Sequence, residues 1–80
     1  MTKASRVNYR MWLNNYMLKQ KLGPIAYTDT QIAAGIRSEW ESSVEINGTF
    51  YSSGRGFTKA AAREMAAKTA LEILEQEANT

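Results

Sequence analysis

Lys59 and Arg63 stand four residues apart in GRGFTKAAAREMAAKTALEIL, residues 54–74. In a helix that spacing puts both cations on one face. A helical projection adds Ala62, Ala66, Ala67, Ala70, Leu71, Ile73 and Leu74 to the same side, with Glu64, Lys68, Glu72, Glu75 and Gln76 opposite. The first turn of an apolar stripe therefore carries cations. An unpaired cation is costly in a core, so both are expected to overhang its edge. There they meet the unpaired N–H groups and positive end of the helix, where a cation is unfavourable by about 0.3–1 kcal/mol. Amides, dipole and cations converging on one spot suit a phosphate-sized anion. The competing outcome is that one of the two pairs with an acid such as Glu64.

Other chemistry is sparse. The chain has no histidine and no cysteine, which removes the usual general base, the thiolate nucleophile and the commonest metal ligands. Glu39, Glu41 and Glu45 alternate along a strand pattern and read as solvated charges on its open face. No catalytic constellation, metal site or cofactor motif can be assembled. Gly54-Arg55-Gly56 lacks the rest of a phosphate-loop pattern and reads as a tight loop. Charge is more telling: a net +2 conceals blocks of +5 (1–24), −3 (25–53), +3 (54–63) and −3 (64–80). Two basic blocks separated by acidic ones suggest a localised footprint for a polyanion. Arg55 belongs to the second of these.

The elements that must position these residues follow from periodicity. Tyr9, Trp12, Leu13, Tyr16 and Met17 form the stripe of an amphipathic helix from about Val7 to Lys21, ended by Gly23-Pro24. These five read as packing residues, as do Tyr27 and Trp40. The outer face of that helix carries Arg10, Met11, Asn14, Leu18 and Lys21. A strand is expected over Ile25–Gln31, and AAGIR forms a loop. In SEWESSVEI, Trp40, Val44 and Ile46 point one way and the glutamates the other. Asn47-Gly48 is a type I′ hairpin signal, TFYSS is the third strand, and Thr58 caps a helix from Lys59 to about Gln76. The fold class is α+β in the order α-β-β-β-α, a three-stranded antiparallel sheet with two helices on one face. Its acidic open face repels phosphates and offers no row of stacking aromatics, so a nucleic-acid surface would lie along helices and loops. With 80 residues, a single domain with a core of about 7–76 is expected. No apolar run approaches the roughly 20 residues of a membrane span and no signal peptide appears, which suggests an intracellular protein, cytoplasmic or nuclear.

From Val7 to Leu74 the sequence resembles the double-stranded RNA-binding domain family. GRGFTKAAAREMAAKTAL is similar to the family pattern GxGxSKKxAKxxAAxxAL, LNNYMLKQ to LNExxQK, PIAY to PxY, and WESSVEINGTFYSSG to FxxxVxVxGxxxxxG. The resemblance implies binding of double-stranded RNA along three regions. Lys59 and Arg63 would hold phosphates across the major groove, with Thr58 at the usual serine. Met11, Asn14 and Asn15 on the first helix would meet 2′-hydroxyls and base edges in a minor groove. Asn15 stands where glutamate is common. Ala60 replaces the middle lysine, which weakens the expected grip. AAGIR lacks the GPxH of the family loop, and Arg37 is the available substitute. Arg55 joins the candidate contacts as part of the basic block. Recognition would depend on A-form shape over about 16 bp, with little sequence preference.

The resemblance implies a binding module with no cofactor, in some family members appended to an RNA-processing enzyme. The alternative is a protein–protein or dimerisation module of the same fold, favoured by Ala60, the missing GPxH and the outward Met11 and Leu18.

Overall fold

The computed structural model of the chain describes residues 8–78. Its elements are α1 (Tyr9–Gln20), β1 (Ile25–Ala33), β2 (Glu39–Ile46), β3 (Thr49–Gly56) and α2 (Lys59–Ala78). The sheet is antiparallel in the order β1-β2-β3, and the α-β-β-β-α order is as the periodicity predicts. Val7, the expected start of the first helix, lies outside the described residues.

Local chemistry explains each boundary. Asn8 caps α1, its side chain accepting from the Met11 amide at 3.1 Å. The helix stops because Lys21 adopts the left-handed conformation (φ 55°), two residues before the Gly23-Pro24 stop signal. Asn47 and Gly48 both have positive φ, 55° and 84°, as a type I′ hairpin turn requires. Thr58 caps α2, with Oγ1 accepting from the Ala61 amide at 3.0 Å and its carbonyl from Ala62 at 3.0 Å.

Leu13 and Met17 of α1, Val44 and Ile46 of β2, and Ala66, Ala67, Ala70, Leu71 and Leu74 of α2 form the core. Tyr9, Tyr16, Ile25, Tyr27 and Tyr51 pack around it, and Ile73 and Trp40 are half-buried. Trp12 corrects the expectation that it packs inside: it is 59% exposed. The α1 stripe centres on Leu13 and Met17, so Trp12 lies at its margin, along a shallow groove with Leu71 and Glu75.

GRG is a second correction. It is not a loop but the end of β3, with Gly54 opposite Ser42 and Gly56 opposite Trp40. A Cβ on Gly54 would come within 2.4 Å of the Ala66 amide nitrogen, and one on Gly56 within 2.6 Å of the Ala61 Cβ. The glycines therefore serve close approach rather than a turn, letting the alanine face of α2 rest almost directly on the β3 backbone. Ser52 Oγ adds a hydrogen bond to the Ala66 carbonyl at 2.7 Å. This close approach seats the first turn of α2 on Gly56, the last residue of β3.

Candidate nucleic-acid interface

Lys59 and Arg63 leave the same face of α2 and meet different partners. Lys59 is exposed, with Nζ 5.1 Å from the centroid of the Trp40 ring. Arg63 turns back toward β1. Its Nε donates at 3.1 Å to each carboxylate oxygen of Asp29, its Nη2 donates to Oδ2, and its guanidinium lies 5.7 Å from the Tyr27 ring centroid. Asp29 stands in the helix-facing phase of β1 with Ile25 and Tyr27, opposite Ser42. The Asp29 side chain is 12% exposed. A carboxylate so enclosed needs a cation, and the planar guanidinium supplies two parallel donors. The Arg63 guanidinium holds the Asp29 carboxyl below its ordinary range, and Asp29 raises the Arg63 pKa in turn. Burial pushes the Tyr27 phenol up. The overhang expected of both cations thus describes Lys59; Arg63 realises the competing outcome, with Asp29 rather than Glu64 as its acid.

Glu64 has a different task. Its carboxylate accepts from the Tyr9 amide at 2.8 Å, from the Arg10 amide at 3.4 Å and from Arg10 Nε at 2.7 Å. It satisfies two of the unpaired amides of α1 and sets a negative charge against the positive end of that helix. The start of α1 is thereby fixed beside the second turn of α2. The outer face of α1 presents Met11 (52% exposed), Asn14, Asn15 and Leu18 to solvent. Asn14 borders the side toward Gly23 and Pro24, and Asn15 the groove shared with Trp12 and Glu75.

The β1–β2 loop is anchored to the same end of α2. Ser38 Oγ donates to the Phe57 carbonyl at 3.2 Å. Ile36, Arg37 and Phe57 surround a shallow recess there, with all three side chains exposed. Arg55 departs from the other candidates. It pairs in register with Glu41 on the open face of the sheet, with Nε 3.7 Å from Glu41 and Nη1 3.9 Å from Glu39. It therefore sits on the face away from Lys59 and α1. Three arginines, Arg10, Arg55 and Arg63, have acidic partners, whereas Lys19, Lys21, Lys59, Lys68 and Arg37 form no ion pair among the described residues.

The start of α2 thus lies beside the start of α1 and the base of the β1–β2 loop, and the outer face of α1 is polar and exposed. The family model for the double-stranded RNA binding motif matches residues 9–74. The chain belongs to that family. Among solved structures, the first dsRBD of protein HYL1 is similar to it at 30% sequence identity with a TM-score of 0.68, covering 81% of this chain and 93% of that one. No curated protein matches the chain. Members of the double-stranded RNA-binding motif family are binding modules, and the helix–sheet–helix frame described above is theirs. No helix among the described residues is long and apolar enough to cross a membrane.

Asp29 and Asn8 are residues that sequence reasoning passed over at this surface, while Glu64 was expected only as a partner for Lys59 or Arg63 and Trp40 only as a packing residue. Asp29 carried a signal: a carboxylate in phase with Ile25 and Tyr27 must face the helices, where it needs a cation. Glu64 carried none, since its partners are more than fifty residues away.

Proposed function

We propose that this chain reads the A-form shape of double-stranded RNA, with Lys59 as its principal phosphate contact. The observation that carries the reading is that α1 is tied to the second turn of α2 through Glu64, and the β1–β2 loop to Phe57, just before that helix, through Ser38. A single rigid surface of this kind suits a duplex whose phosphates and minor grooves recur at fixed spacing. Met11 and Asn14 would meet a minor groove, with Asn15 at its margin, and Arg37 would reach the next one. Thr58 acts through its cap, which holds Lys59 in place. Arg55, held among glutamates, takes no part, and Arg63 contributes only as far as Asp29 releases it. The protein would act inside the cell, alone or beside the domains of an RNA-processing enzyme.

The test is titration with a blunt RNA duplex of about 20 bp against DNA of the same sequence, each at two salt concentrations. RNA binding well above DNA, weakening with salt, is the expected result. Equal affinity for both duplexes removes the shape-reading mechanism.

A second reading has its own observation. Met11, Trp12 and Leu18 are all more than half exposed on α1, an apolar surface that a protein partner could cover. It becomes the better account if Trp12→Ala and Leu18→Ala leave RNA affinity untouched and abolish a self-association seen in sedimentation.

A further inference from the structure

Arg63 stands at the contact surface with both donors on one edge of its guanidinium already taken by Asp29. A phosphate approaches arginine through the same two-donor fork that a carboxylate uses, so the two anions exclude one another at that edge. Asp29 is the acid that holds Arg63; Glu64, its neighbour in sequence, is committed to α1. The Tyr27 ring lies 5.7 Å from the guanidinium in that position. Lys59, one turn earlier, forms no ion pair among the described residues. At that edge Arg63 is closed to a phosphate while Asp29 holds it, whereas Lys59 is open to one.

We infer that Asp29 is an internal competitor of the RNA backbone for Arg63, set in β1 to lower the affinity of the α2 contact. The inference rests on the RNA-binding reading and adds to it a residue that regulates its strength. A duplex that captures Arg63 must first displace a mostly enclosed carboxylate. Binding is then weaker and more easily reversed than the cations alone would give. Asp29 touches no RNA in this scheme and acts through Arg63.

Asp29→Asn in the 80-residue chain should tighten binding to a 20-bp RNA duplex by about 10- to 100-fold, the range for one added charge-assisted contact. The slope of log K against log salt should steepen by about 0.9, one further phosphate being neutralised. In an Arg63→Gln background the same change should give no gain. Glu72→Gln, an equal change of charge on the exposed side of α2, should give little in either background. Asp29→Thr is a second variant, and melting curves establish that each is folded at the binding temperature. Unchanged or weaker binding of a folded Asp29→Asn overturns the inference, as does a gain that persists without Arg63. Failure of both variants to fold also overturns it, by making the pair a contact the fold requires. Absence of binding by the unsubstituted chain in the same titration would fall on the RNA reading instead.

Discussion

Lys59 and Arg63 carry the same charge on the same face of α2, yet they end in different surroundings, and their substitutions should differ accordingly. Lys59→Ala should weaken duplex RNA binding by about 10- to 100-fold, the loss expected for a charged contact to phosphate. It should change stability by no more than about 0.5 kcal/mol, as for other exposed positions. Arg63→Ala should lower the melting temperature more than Lys59→Ala and RNA affinity less, because it strands the Asp29 carboxylate. Equal melting temperatures for the two variants would refute the pairing. Acid provides an independent check. The folded-state pKa of Asp29 is lowered from 3.8, so the unfolded chain binds its proton first as pH falls. The stability that Asp29 contributes is complete above that value and is lost as pH drops through it toward the lower folded pKa. The stability gap between the parent chain and Asp29→Asn, measured by denaturation between pH 7 and 2, should therefore close below about pH 4.

At the scale of elements, what could be read from the sequence was what is local. The Leu13–Met17 stripe, the Asn47-Gly48 turn and the Thr58 cap each rest on residues within one turn of one another, and all three form as expected. GRG misled because a glycine signals a bend as readily as a close approach; the difference lies in what packs above it, here Ala61 and Ala66. Trp12 misled because helical periodicity gives a direction for the buried stripe but not its width. Two substitutions test the contacts that sequence could not reveal. Gly54→Ala should destabilise the chain by about 1–3 kcal/mol, since α2 must lift from β3 to admit a methyl group. A melting temperature within one degree of the parent would mean that the helix does not sit so close. Glu64→Gln should cost about 1 kcal/mol by weakening the cap on α1. Its loss should appear as reduced helicity in circular dichroism while the strands persist.

For the whole molecule, the two helices are attached by different means. α2 lies on a backbone surface of glycine and serine, with Ala62, Ala66 and Ala70 fully enclosed beneath it. α1 meets the rest of the chain through Leu13 and Met17, the flanking tyrosines and the Glu64 carboxylate. Such unequal attachment predicts two opening events rather than one. Amide protons of α1 should exchange with solvent through a partial unfolding that leaves β2, β3 and α2 protected. Those three elements should exchange only with global unfolding. RNA bound across both helices would then slow exchange most in α1, the segment with most protection to gain. The surface that greets the duplex would be in part a surface the duplex keeps folded.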